Sequence, residues 1–298
     1  MLYLTWLMVH ITRRRKRVRE YKGKITVAGN VVHVARYEEP VVAGWKRRKD
    51  REKEKPQWVK EVEEELKQEE RKRNEKKAGL RAKRKLMDLV RANAAHEWRD
   101  HEGRPCTVKF LTLTFAENVQ DIEWANKEFK KFMMRLNYAV TGKKKNFLQY
   151  VAVVEFQKRG AVHYHLLLFN MPYVDVKEVI APVWGHGSVK INKVDEVDDL
   201  GAYMAKYMGK TFDSDDDDDP PPGGGGGKKR RDKGKKRYFA SRGLIRPKEM
   251  EVQTDEELDR VQADLAQCKV FEKAYDTEYY GRVVYTQYNM KRRRKDME

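Results

Sequence analysis

Two apolar runs separated by three residues constrain this chain more than any other feature. LQYVAVVEFQ (148–157) and AVHYHLLLF (161–169) read as strands, and the Lys158-Arg159-Gly160 link between them leaves room only for an antiparallel turn. A three-residue hairpin loop usually takes glycine in left-handed conformation at its last position, which fits Gly160. The odd loop length sets the register, with Glu155 opposite His163. Side chains alternate along a strand, so Glu155, His163 and His165 share one face while Tyr164 points to the other. Two imidazoles and a carboxylate on one patch of sheet form a donor set for a divalent cation, with coordination positions left for a ligand. An even-numbered loop would place Glu155 on the opposite face. Gln157 shares the donor face, but a neutral amide is a poorer ligand than a carboxylate.

Around the hairpin the pattern is that of a folded domain. KFLTLTF (109–115) reads as a strand, and DIEWANKEFKKFMMRLNY (121–138) as an amphipathic helix with Ile122, Ala125, Phe129, Phe132, Met133 and Leu136 on its apolar side. After Pro172 come a short helix, a strand at 187–192 and a helix from about Glu196 to Gly209. Strand, helix, hairpin, helix, strand, helix predicts an α+β fold with helices on a central antiparallel sheet.

Outside this region the reading is coarser. KITVAGNVVHVARY (24–37) alternates around Gly29-Asn30 as a short hairpin does. Residues 56 to 100 read as a charged helix pair, acidic then basic, serving either as a solvated face or as a DNA-facing arm. The tract at 213–236 is low-complexity and expected to be disordered. Its glycines precede Lys228 and Lys229 without the spacing of a phosphate loop, so no nucleotide cofactor is expected. Thr254 and Glu257 form a capping box, and 268–288 alternates as a terminal hairpin. The division expected is therefore a basic N-terminal segment (1–56), a helical arm (57–103), a main domain (104–250) interrupted by the 213–236 linker, and a C-terminal helix and hairpin (251–298) completing that domain.

Charge narrows the partners. The chain has 298 residues and a formal net charge of +18, and its first 91 residues hold 28 basic against 14 acidic side chains. Such a basic arm points to a polyanion, and the nearly balanced remainder to an ordinary folded domain. Only Cys106 and Cys268 occur, too few for a disulfide framework or a Cys-rich zinc module, and a cytoplasmic location is expected. Residues 1–11 are apolar but too short to span a bilayer, so no membrane partner is expected.

A second chemical feature is GAYMAKYMGK (201–210), where Tyr203, Lys206, Tyr207 and Lys210 fall on one helical stripe. Two phenols and two ammoniums on one stripe read either as rings packed on the sheet beneath snorkelling lysines or as a functional surface. With the hairpin, this stripe carries a resemblance. FLTLTF, EFQKRGAVHYH and YMAKYMGK resemble, in order and spacing, the three motifs of HUH-type rolling-circle replication initiators. WGHG (184–187) and KRYFASRGL (236–244) are similar to the Rep proteins of phages, plasmids and integrative elements grouped with the filamentous-phage gene II protein. The similarity runs over roughly residues 80 to 250.

The resemblance implies an RRM- or ferredoxin-like palm that nicks single-stranded or locally melted origin DNA through a 5′-phosphotyrosine. It implies Glu155, His163 and His165 as ligands of Mg²⁺ or Mn²⁺, and Tyr207 as nucleophile with Lys210 one turn on. Tyr203 with Lys206 would be a second such pair, although some relatives carry Glu in place of Tyr203. Thr112 and Thr114 would border the DNA groove. Lys158 and Arg159, at the hairpin tip, read either as phosphate contacts or as a solvated turn. His186 reads as structural. Helicase and polymerase would come from a bacterial host. A transposase or conjugative relaxase would use the same chemistry, a non-catalytic single-strand-binding regulator the same sheet, and a zinc hydrolase would leave the tyrosine stripe without a role.

Overall fold

The computed structural model describes residues 19–44, 57–144, 146–157, 159–194, 197–212 and 238–292. Lys158, the basic run at 46–55, most of that at 13–19, and all of the 213–236 tract lie outside the described residues. The first elements are β1 (Arg19–Ala28), β2 (Val31–Ala43), α1 (Gln57–Ala94), β3 (Trp98–Arg99), β4 (Pro105–Cys106) and β5 (Lys109–Thr114). Then follow α2 (Ile122–Thr141), β6 (Tyr150–Phe156), β7 (Val162–Leu168), a π-helical turn (Val176–Ile180), α3 (Ala181–Trp184), β8 (Val189–Lys193) and α4 (Leu200–Phe212). The last are β9 (Tyr238–Ala240), β10 (Lys248–Val252), α5 (Asp255–Asp264), β11 (Lys269–Thr277) and β12 (Gly281–Asn289). The fold is α+β, with antiparallel sheets.

The chain forms two compact units, Met1–Asn74 with Arg246–Glu298, and Glu75–Ile245. The first holds a five-stranded sheet in the order β10-β1-β2-β12-β11. Its β1–β2 hairpin turns at Gly29, whose φ of 61° is the left-handed conformation a two-residue turn requires. On one face Ile25, Val34, Met250 and Val252 pack with Leu258 and Val261 of α5, which starts at Thr254, whose Oγ1 accepts the Glu257 N–H at 3.3 Å. The sequence pattern assigns the C-terminal hairpin to the main domain. It pairs instead with the N-terminal one, Thr286 of β12 lying opposite Val34 of β2. That pairing joins strands some 250 residues apart, which no local pattern reports.

The second unit is built on a five-stranded sheet in the order β8-β5-β7-β6-β9. Both of its faces are covered, which is why β6 and β7 read as nearly continuous apolar runs. One face carries Leu111, Leu113, Val154, Tyr164 and Leu166 against Phe129, Phe132 and Leu136 of α2. α2 is capped by Asp121, which accepts the N–H groups of Glu123 and Trp124, and ends at Gly142 with φ 66°. The other face carries Phe110, Val151, Val153, Leu167 and Phe169 against Leu86, Leu89 and Val90 of α1 and Leu200 and Met204 of α4.

α1 is thus neither a helix pair nor a separate arm. Its last turns are part of the core, and a buried ion pair ties them to α4. Arg91, 6% exposed, reaches Asp199 through Nε at 3.0 Å and Nη2 at 2.6 Å, and Asp88 through Nη1 at 3.1 Å. Asp199 also caps α4 by accepting the Ala202 N–H at 3.0 Å. Gly201 makes this approach possible, since a Cβ there would collide with the Met87 carbonyl oxygen and the Arg91 side chain.

Burial disfavours the Asp199 carboxylate, but the hydrogen bonds from Arg91 and the α4 backbone outweigh it and hold its pKa below the usual carboxylate value. A depressed folded-state pKa contributes stability above the unfolded value, near 4, that is lost as pH falls through the folded one. Replacing Asp199 by Ala should lower unfolding free energy by about 3 kcal/mol at pH 7, because Arg91 loses its bidentate partner. In urea titrations from pH 7 to pH 2, the difference between wild type and Asp199→Ala should shrink at the acid end.

Candidate active site

The β6–β7 hairpin has the register its loop length predicts. Glu155 lies opposite His163 and Val153 opposite His165. Gly160 has φ 85°, its N–H donating to the Gln157 carbonyl at 2.8 Å, and the Gln157 N–H donates to the Ala161 carbonyl at 2.9 Å. Glu155, His163 and His165 are all buried on the α4 side of the sheet. Tyr164 points to the α2 side, its hydroxyl donating to Asn126 Oδ1 at 2.8 Å.

The three donors sit together without converging on one point. Nε2 of His165 and Oε2 of Glu155 are 2.5 Å apart, so each occupies the other. With Glu155 ionised, Nε2–H donates to it and Nδ1 accepts from Thr112 Oγ1 at 3.2 Å. Among the described residues no group of three or more His, Cys, Asp or Glu side chains is placed to hold a metal ion. The three residue types are nevertheless those that ligate divalent cations. Nε2 of His163 is buried without a hydrogen-bond partner, an arrangement that costs stability unless something is bound there. Burial, and then the neighbouring His165, pushes the His163 imidazole below its usual pKa, leaving the ring in the neutral form that ligates metals.

α4 lays its tyrosines over this patch. The Tyr207 ring lies 4.0 Å from the His165 ring, centroid to centroid, and Phe110 packs against both Tyr203 (5.4 Å) and Tyr207 (5.3 Å). Tyr207 donates its hydroxyl hydrogen to the Tyr203 oxygen at 3.1 Å. Burial first, then Tyr203 and the charge of Glu155, hold the Tyr207 phenol well above the ordinary tyrosine pKa. Lys206 is exposed, with Nζ 5.8 Å from the Tyr203 ring centroid, in cation–π range. Lys210 lies in α4, but its side chain is outside the described residues.

The residues assigned to DNA contact divide. Thr112 and Thr114 lie opposite His165 and His163 on β5, and Thr112 is engaged with His165 as its outer partner. Arg159 is exposed at the hairpin tip, Nε donating to Gln157 Oε1 at 3.1 Å. His186 is 3.1 Å from Glu128 on the opposite side of the sheet, its ring among Phe115, Trp124 and Trp184, as a structural histidine would be. The turn carrying it backs onto β5, Trp184 Nε1 donating to the Thr114 carbonyl at 3.1 Å. Sequence reasoning missed Phe110, the aromatic floor of the site. Its signal is the same alternation that puts Thr112 on the donor face.

Comparison with known proteins bears on this arrangement. Residues 108–212 match the family model of replication-associated proteins of the ORF2 and gene II type. The match covers about a third of the chain. It is shorter than the span over which the motifs suggest resemblance, yet it contains every residue singled out for chemistry. Over 133 residues the chain is also 29% identical to the "Phasyl DNA replicon protein arp" of Escherichia coli. That alignment covers 36% of this chain and 45% of the relative, so the chain spans less than half of that protein's length. No solved structure matches the chain. Among the described residues no helix is long and apolar enough to cross a membrane.

The orphaned nitrogen of His163 bears on stability. His163→Leu removes a buried polar atom without a partner and should raise metal-free stability by about 1 kcal/mol in urea denaturation. Mn²⁺ should raise the thermal midpoint of the wild type and leave that of His163→Leu unchanged.

Proposed function

We propose that the chain is a metal-dependent, tyrosine-type nickase and strand transferase that acts on single-stranded DNA at a replication origin. The observation that carries this reading is the Tyr207 ring packed 4.0 Å from the His165 ring, beside Glu155 and the unsatisfied nitrogen of His163. A nucleophile and a donor set for a divalent cation are adjacent, and neither has a packing reason to be polar. The match to a replication-associated family over the same residues supports the biological setting.

In the proposed reaction the Tyr207 oxygen attacks the scissile phosphorus in line with the departing 3′-oxygen. The O–P bond to tyrosine forms as the bond to the 3′-oxygen breaks. The phenol proton is lost to solvent and the leaving oxygen takes one up, giving a 5′-phosphotyrosine and a free 3′-hydroxyl. One ester replaces another, so the strand can be rejoined without a nucleotide cofactor. A divalent cation held by Glu155, His163 and His165 would supply charge neutralisation on the phosphate oxygens. Phe110 and His165 orient the phenol ring, and Tyr203 accepts its hydrogen bond before attack. Tyr203 is also placed to receive a second strand end, with Lys206 beside it. Helicase and polymerase would be supplied by the host.

Tyr207→Phe should lower formation of the covalent adduct on a labelled single-stranded origin oligonucleotide by about a thousand-fold or more. EDTA should stop the wild type, and Mg²⁺ or Mn²⁺ should restore it. Full adduct formation by Tyr207→Phe would overturn the nucleophile assignment, and nicking in EDTA would overturn the ligand assignment.

A further inference from the structure

The proposed mechanism uses one face of the β8-β5-β7-β6-β9 sheet and leaves the outer surface of α2, on the other, without a role. Apart from Glu123 in its first turn, which is exposed on the same arc, the charged residues of that surface are basic. Trp124, Lys127, Lys130, Lys131, Met134, Arg135 and Tyr138 are all exposed and, at helical spacing, fall within less than half the helix circumference. Lys131 pairs with Glu128 at 2.7 Å, whereas no carboxylate among the described residues pairs with Lys127, Lys130 or Arg135. Met134 is 67% and Tyr138 57% exposed, one turn apart on this face. Lys143 and Lys144, also exposed, follow the helix. Charge repulsion within such a stripe is tolerated without benefit unless something anionic covers it.

We infer that the outer face of α2 is a second DNA-binding surface, which holds duplex DNA apart from the strand at Tyr207. The inference rests on the proposed function for its choice of DNA. The shape of the surface selects duplex over single strand. Single strands are held in concave, positively charged grooves with bases stacked on aromatic walls. A convex helix with cations across its crest matches instead the concavity of the duplex, whose major groove, about 12 Å wide, admits a helix about 10–12 Å across. Lys127, Lys130 and Arg135 would contact phosphates, and Met134 and Tyr138 would lie against sugars and base edges. Because α2 and the tyrosines are on opposite sheet faces, duplex bound at α2 leaves the cleavage site open.

The test uses the full chain with Lys127, Lys130 and Arg135 all changed to Ala, exposed positions that carry no core contact. Binding is followed by fluorescence anisotropy with a 20-base-pair duplex and, separately, a 20-nucleotide single strand, across a salt series. For the duplex, the slope of log affinity against log salt should fall by about 2 to 3, with affinity down about ten-fold or more near 0.1 M salt. Single-strand affinity and nicking of a short oligonucleotide should be unchanged, and a charge-conserving Lys127→Arg, Lys130→Arg, Arg135→Lys variant should bind as the wild type does. An unchanged duplex slope overturns the inference, as does an equal loss for duplex and single strand, which would mark a general charge effect. Loss of binding only to anionic lipid vesicles would assign the face to a membrane surface and overturn it too. Anisotropy requires no cleavage, so an inactive enzyme that still shows the α2-dependent duplex slope would refute the nickase reading alone.

Discussion

The structure of the Glu75–Ile245 unit depends on the register between β6 and β7. A slip of one residue would carry every side chain of one strand to the other face. Glu155 would enter the apolar layer beneath α2, and the donor set would cease to exist. Two independent features prevent the slip. The loop closes only with Gly160 at φ 85°, a conformation other residues adopt at a cost. On the far face Tyr164 stacks on Phe129 at 4.6 Å and 11°, its hydroxyl satisfied by Asn126, so displacing it would leave both a cavity and a buried hydroxyl without a partner. The packing face thereby enforces the geometry of the chemical face.

The two faces treat polarity differently. Beneath α2 the layer is apolar apart from partnered polar groups, Tyr164 with Asn126 and Glu128 with His186 and Lys131, and its role is stability. Beneath α4 the sheet buries a carboxylate and two imidazoles that would cost less as leucine and valine. Places where a chain departs from good packing without local compensation are where function is expected. The Arg91–Asp199 pair explains how α4 is kept over so polar a patch. It fixes the N-terminus of the helix to α1, and eight residues later Tyr207 reaches His165 with its ring supported by Phe110.

Legibility in the sequence follows the range of the interaction that decides each feature. The β6–β7 register, the apolar stripe of α2, and the shared stripe of Tyr203 and Tyr207 are set by residues within a few positions of one another, and periodicity with loop length recovers them. Arg91 and Asp199 are 108 positions apart, and their pairing leaves no periodic trace. α1 misleads for a related reason. Its charge density reads as a solvated helix, while the Leu86, Leu89 and Val90 that bury it occupy only its last turns. The joining of the N- and C-terminal hairpins into one sheet is likewise a long-range event. Within the site, the residue types are legible but not their pairing, because the sequence cannot say that Glu155 and His165 engage each other.

That pairing frames the electrostatics of Tyr207. A phenol attacks more readily as its proton is loosened, yet burial, Tyr203 and the charge of Glu155 all act on Tyr207 in the opposite direction. Among the described side chains, no cation reverses this. Lys206 is beside Tyr203 instead, and Arg91 is committed to the aspartates. Burial and Tyr203 are fixed by the packing, whereas the charge of Glu155 is the contribution that a bound cation would change. As a free carboxylate it opposes ionisation, whereas as a ligand of a divalent cation it would present no net negative charge to the ring. His165 shares that switch, since the Nε2 it now gives to Glu155 is the atom it would give to a metal, and Thr112 can exchange donor and acceptor roles at Nδ1 to match. In the proposed reaction, a nucleophile held in its unreactive form until metal and phosphate arrive together would confine cutting to one place and leave other strands intact.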